Sequence, residues 1–109
     1  MTVPEITVSE LQRLLALPQP PRLIDVREPD EWKIGRIEGA ELCPLSEWPA
    51  IAEAQLTDRD QPLFVVCHHG MRSARATEFL LRNGFASVTN VAGGIDAWSR
   101  LIDPAVPRY

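Results

Sequence analysis

Two cysteines, Cys43 and Cys67, are too few to staple a chain of 109 residues, which excludes a disulfide scaffold. No apolar run approaches the ~20 residues needed to span a bilayer, so no membrane partner is expected. The opening residues lack a charged segment followed by an apolar one, the pattern of a secretory leader. A cytoplasmic location is therefore the expectation, and a reducing compartment would keep a thiol usable. Positive charge is also scarce. Eleven Lys and Arg stand against fifteen Asp and Glu, a net charge of −4, which argues against a nucleic-acid partner. Internal repeats, low-complexity segments and domain boundaries are missing. What is present, 45% apolar and 24% charged residues, is ordinary for a globular protein. One domain is expected over residues 1–109, its core at about 5–102 and its tail at 103–109 extended on the surface.

The local pattern alternates strand and helix signals. Glu5 to Val8 is β-prone, and Ser9-Glu10-Leu11-Gln12 reads as a capping box with Ser9 as N-cap. Leu11, Leu14 and Leu15 share a helical face, and the prolines at 18, 20 and 21 end that helix. Leu23 to Val26 is the second strand. Pro29 suits a first helical turn, with Gly35 as its stop. Ala40 to Cys43 reads as a third strand, and Ser46 as the N-cap of a helix over Trp48 to Leu56. Leu63 to Cys67 is a fourth strand, followed by a helix over Ser73 to Arg82 with Ala76, Phe79 and Leu80 facing the core. Ser87 to Val91 is a fifth strand. The last helix carries Ile95, Trp98, Leu101 and Ile102 on one face, and Trp32 is placed on a core face too. The expected class is α/β, about five strands in a largely parallel sheet with helices on both faces.

The chemistry concentrates in Cys67-His68-His69-Gly70-Met71-Arg72-Ser73. An apolar strand runs into a cysteine, a tight loop and a helix N-terminus. Ligands of such sheets bind beyond the carboxyl ends of strands, where this loop lies. Loop amides turned inward, with the positive end of a helix dipole, cradle an anion and favour a thiolate. Residues 67–84 carry Arg72, Arg75 and Arg82 against Glu78 alone, so an anionic substrate is drawn to one region of an acidic protein. Arg82 reads as a solvated helix charge. Gly70 is expected to supply a positive φ, and Met71 an apolar rim or simple space filling. His68 and His69 either help hold an anion or contribute only their amides. Neighbouring residues of a tight loop converge poorly on one ion, so no metal and no cofactor is expected. Asp25 and Arg27 alternate on an extended segment and can meet as an ion pair bracing the strand end. Cys43 is a resolving thiol or, more commonly for such a position, a packed strand cysteine. Trp48 is a candidate for the pocket rim.

Three blocks in register resemble the rhodanese family of single-domain sulfurtransferases. They are Leu23 to Pro29 continuing through Glu31-Trp32 to Gly35-Arg36-Ile37-Glu38-Gly39-Ala40, then Cys67 to Ala74, then Val91 to Trp98. The likeness covers about residues 5–100, and the stretch from Asp96 to Tyr109 looks like the tail of some bacterial members. Many members carry His where this chain has Arg36, a position usually read as structural.

The resemblance implies a rhodanese-like fold and sulfur transfer in two steps. Cys67 would take a sulfur from thiosulfate, a small anionic donor, or from a persulfide, and pass it to cyanide, a small thiol or a protein thiol. Cys67 and Arg72 would be the catalytic residues, with His68, His69, Gly70, Met71 and Ser73 binding substrate and Asp25 and Arg27 in support. Arg72 would hold the donor, tie the loop to the sheet through carbonyls, or do both. Cysteine-dependent phosphatases and arsenate reductases use a similar loop written Cys-x5-Arg. Here four residues separate Cys67 from Arg72, and the shorter ring suits sulfur better than a tetrahedral oxyanion. A non-catalytic rhodanese-like docking module is the other alternative, although many such modules lack the cysteine that this chain keeps.

Overall fold

The computed structural model describes residues 2–109. Five strands, β1 (Glu5–Ile6), β2 (Arg22–Asp25), β3 (Glu41–Leu42), β4 (Leu63–Val66) and β5 (Val88–Val91), form one sheet in the order β1-β5-β4-β2-β3. Every pairing is parallel. The helices are α1 (Val8–Leu15), α2 (Pro29–Ile34), α3 (Ala50–Gln55), α4 (Met71–Arg82) and α5 (Gly94–Leu101), with a 3-10 turn at Leu45–Glu47. No helix among the described residues is long and apolar enough to cross a membrane.

Strand periodicity sorts the core into two layers. Leu63 and Val65 on β4, with Ile24 on β2, pack with Ala52, Leu56, Ala76 and Leu80 of the α3–α4 side. Val66 and Leu23 point the other way, to Val8 and Leu11 of α1 and Ile95 and Trp98 of α5. Both faces are therefore covered, as a parallel sheet requires, and each fully buried Leu, Ile or Val contributes roughly 1.5–3 kcal/mol. The middle strand β4 ends at Val66, and Cys67 is the first residue past the sheet's carboxyl edge.

Several local expectations shift. The α1 capping box is Thr7 with Glu10, not Ser9 with Gln12: Thr7 Oγ1 accepts from the Glu10 amide at 3.1 Å and Glu10 accepts from the Thr7 amide at 3.1 Å. Pairing of Ile6 with Val91 ends β1 there, so Thr7 is the first residue free to cap. Ser46 caps no helix. Its hydroxyl donates to Glu28 at 2.6 Å, and α3 begins only after Pro49. Helix α4 starts at Met71, two residues before the expected Ser73, so Arg72 belongs to its first turn. Phe79 and Leu101 are 37% and 64% exposed rather than core. Phe79 meets Trp48 edge to face, and Trp48 donates to the Cys43 carbonyl, so Trp48 packs beside α4. Trp32 is half-buried with Arg36 over its ring, and α2 buries no residue fully.

The tail lies on the surface, six of residues 103–109 being exposed, and it is anchored there. Val106 is buried in the α1–α5 layer, Ser99 donates to the Val106 carbonyl, and Arg108 pairs with Asp96. These contacts lead the chain back to the Cys67 loop.

Candidate active site

The loop is built by two helix N-termini. Gly70 adopts φ +108° and caps α4, a left-handed conformation that a side chain would strain. Its amide then points at Cys67 and donates to Sγ at 3.1 Å. The first intrahelical bond of α4 runs from the Ala74 amide to the Gly70 carbonyl, so the amides of Met71, Arg72 and Ser73 precede the helical ladder. From the other side, the amides of Ile95 and Asp96 in α5 donate to the carbonyls of Cys67 and His68 at 2.8 and 3.0 Å. Two of the loop's carbonyls are tied back by α5 while the Gly70 amide faces the thiol. Gly94 makes that approach possible, because a Cβ there would overlap both carbonyls.

Cys67 is 1% exposed. Its Sγ accepts a second hydrogen bond, from the hydroxyl of buried Ser73 at 3.2 Å. Both bonds strengthen when sulfur carries negative charge. Asn90, fully buried on β5, donates to the Gly70 carbonyl at 3.2 Å and to Glu5 at 2.8 Å, bracing the loop from the sheet.

Among the described residues, Arg72 hydrogen-bonds neither Cys67 nor a carbonyl. It forms a two-pronged pair with Glu31 of α2, at 2.6 and 2.8 Å. That guanidinium is the main reason the Glu31 carboxyl is pushed down to about 2, against the opposing effect of burial. The same pairing raises the Arg72 guanidinium, with the Cys67 charge adding to it.

Asp25 and Arg27 meet as a fully buried ion pair at the end of β2. Arg27 spends its remaining donors on the carbonyls of Glu31 and Gly35 and on the Tyr109 hydroxyl, at 3.3, 2.7 and 2.9 Å. Burial works against its charge, and the bonds from Asp25 and Tyr109 outweigh it, so its shift is upward.

The Tyr109 hydroxyl donates in turn to Glu31 at 2.8 Å, and its ring lies flat on His68 at 3.8 Å. Burial and the Glu31 charge push the Tyr109 hydroxyl up to about 12, so it stays a proton donor near neutrality. Glu31 and Tyr109 are the site residues that sequence reasoning missed. The only signal for either was position: Glu31 inside the first family-like block, Tyr109 in the family-like tail.

His68 is sandwiched between Tyr109 and His69. Burial, then the neighbouring His69, lowers its pKa, which suits a neutral platform rather than an anion-holding cation. His69 is exposed, and Met71, 71% exposed, lies at the loop's outer edge. Cys43 is buried and its thiol pushed up by burial. Asp96 lies with His68 and His69, one ligand atom of each within 4.8 Å of the others, a cluster the sequence did not suggest. Imidazole lone pairs lie in the ring planes, so two stacked rings at an interplanar angle of 30° do not aim at one ion ~2.0–2.1 Å away. Asp96 already holds Arg100 and Arg108. The residues do not fit a metal. A separate cleft of about 210 Å³ lined by Leu56, Phe79 and Phe85 contains no residue of the Cys67 loop.

The profile of the rhodanese-like domain family matches residues 7–101. The Rhodanese-like/PpiC domain-containing protein 12 of Arabidopsis thaliana is 37% identical over 114 residues, covering 98% of this chain and 38% of the plant protein. The chain thus spans well under half the length of the curated relatives it matches. Among solved structures, a rhodanese-like domain protein from Staphylococcus aureus superposes with a TM-score of 0.78 at 33% identity, covering 88% of this chain and 91% of that one. The human single-domain sulfurtransferase TSTD1 superposes with a TM-score of 0.77 at 30% identity, covering 91% of this chain and 97% of that one. The five-stranded α/β architecture is common to these neighbours.

Proposed function

The chain belongs to the rhodanese-like domain family, and on that premise we propose that it is a sulfurtransferase working through a persulfide on Cys67. The observation that carries the reading is the Cys67 sulfur held by the Gly70 amide and the Ser73 hydroxyl at 3.1 and 3.2 Å. Such donors stabilise the nucleophile before transfer and the terminal sulfur's charge after it, the role an oxyanion hole plays in acyl transfer. The likeness to a human single-domain sulfurtransferase supports the same reading.

With thiosulfate, the Cys67 thiolate attacks the outer sulfur. A new S–S bond forms, the donor's own S–S bond breaks, and sulfite leaves as a dianion with the electron pair. The Cys67 persulfide anion then gives its terminal sulfur to cyanide, which leaves as thiocyanate and restores the thiolate. With a persulfide RS–SH, the leaving group is RS⁻ and the proton stays on the transferred sulfur. No external redox partner enters either step. A thiol on a small molecule or protein replaces cyanide as acceptor in the cell. The cytoplasm suits this cycle, since the thiol must stay reduced between turnovers.

Purified protein and Cys67→Ser are compared for thiosulfate:cyanide sulfur transfer. Thiocyanate formation is expected from the native chain and not from the variant. Undiminished transfer by Cys67→Ser, or phosphate-ester turnover comparable to sulfur transfer, overturns the proposal.

A further inference from the structure

The sole cation in the first turn of α4 is not free. Arg72 gives both prongs of its guanidinium to Glu31, so the positive charge that would draw a dianion to the Cys67 loop is matched by a carboxylate on the same side. Glu31 is in turn fixed by three groups. Its Oε1 accepts from the Glu28 amide at 3.1 Å, its Oε2 accepts from the Tyr109 hydroxyl at 2.8 Å, and its own carbonyl accepts from Arg27. The Tyr109 ring is pinned on His68, and the tail before it is held by Arg108 on Asp96 and by buried Val106. Moving Glu31 off Arg72 therefore means disturbing the tail, the loop histidine and the Asp25–Arg27 pair together.

Donors differ in how much this matters. Thiosulfate brings two negative charges to the loop and needs a compensating cation. A thiol persulfide reacts as neutral RS–SH: the negative charge leaves on RS⁻ while the proton stays on the outer sulfur, so no cation is needed to bring this donor to the loop. We propose that Glu31, held by Tyr109, is a specificity-determining residue that occupies the Arg72 guanidinium so that the site favours persulfides over dianionic thiosulfate. Neither residue touches the reacting sulfur. Both act through Arg72 as positioning residues, and the inference rests on the sulfur-transfer reading above.

The test uses two donors, thiosulfate and 2-hydroxyethyl persulfide, with sulfur loading of Cys67 followed by mass and turnover followed with cyanide. Native protein, Glu31→Gln and Tyr109→Phe are compared. Glu31→Gln keeps the shape and removes the charge, so it is expected to lower the thiosulfate KM by about tenfold, since repulsion at a partly exposed site is screened but not abolished. Its kcat, and kcat/KM for the persulfide, are expected to stay within about twofold. Tyr109→Phe keeps the ring on His68 and loosens Glu31, so it shifts thiosulfate KM the same way by a smaller factor, and it carries the test alone if Glu31→Gln does not fold. A thiosulfate KM unchanged within about twofold in the folded variants, or equal changes for both donors, overturns the proposal while leaving sulfur transfer intact. Absence of added sulfur on native Cys67 from both donors overturns the sulfur-transfer reading itself.

Discussion

Replacing Asp25 by Asn removes one charge from a pair that is fully buried on both sides. In the native chain Asp25 Oδ1 accepts from the Arg27 backbone amide and from Nε at 3.1 and 3.0 Å, and Oδ2 accepts from Nε and Nη2 at 3.1 and 2.8 Å. The variant leaves the guanidinium buried, compensated by neutral contacts alone: the remaining Asn oxygen and those to Gly35, Glu31 and Tyr109. Breaking a buried pair from one side costs about 3–5 kcal/mol, set against a total of about 5–15 kcal/mol for a domain of this kind. The loss is therefore about a fifth of the whole or more, and a fall in Tm of about 12–20 °C follows at roughly 4 °C per kcal/mol. Equilibrium unfolding in guanidinium chloride, followed by tryptophan fluorescence, reads the difference directly. The Asp25→Asn, Arg27→Gln double variant completes a cycle. It should lose much less than the sum of the single losses, because the second change removes the stranded charge. A single variant within about 0.5 kcal/mol of native, or strictly additive losses, would refute the claim that this pair braces the strand end.

Two further outcomes are expected. Ser73→Ala deletes one of the two donors to Cys67 Sγ; a hydrogen bond to a charged group is worth about 1.5–3 kcal/mol, so thiosulfate:cyanide sulfur transfer should fall by about tenfold or more, with unfolding nearly unchanged. An unaltered rate would show that the hydroxyl does not support the reacting sulfur. The Glu31 carboxyl is lowered from 4.5 to about 2 in the fold, so its contribution to stability is complete above 4.5 and is lost as pH falls toward 2. Glu31→Gln should flatten that part of the native stability–pH curve, and superimposable acid limbs would contradict the pairing.

The parallel α/β sheet was readable because β2 and β4 are apolar runs bounded by breakers, and because the period of two puts Val65 and Val66 into opposite layers. The cradle was readable for the same reason: Cys67 closes such a run, and Gly70 precedes a helical stretch. The Glu31–Arg72 pair was not readable, since its members are 41 residues apart and α2 and the loop meet only through the fold. Tyr109 was further out of reach. Two prolines in 103–109 read as an extended tail, and nothing local signals that Val106 is buried or that the ring ends on His68, 41 residues upstream in sequence. Cap positions failed for a different cause. Thr7 and Ser9 are both competent caps, and Ser46 is too. The choice was made by where β1 stops pairing and by Glu28 capturing the Ser46 hydroxyl.

The most direct measurement of the central claim is the intact mass of the protein after treatment with thiosulfate and rapid desalting. One added sulfur atom is expected on the native chain, lost again on addition of cyanide, and none on Cys67→Ser. A native mass that changes with neither thiosulfate nor 2-hydroxyethyl persulfide, or an equal gain in Cys67→Ser, would contradict sulfur transfer through Cys67.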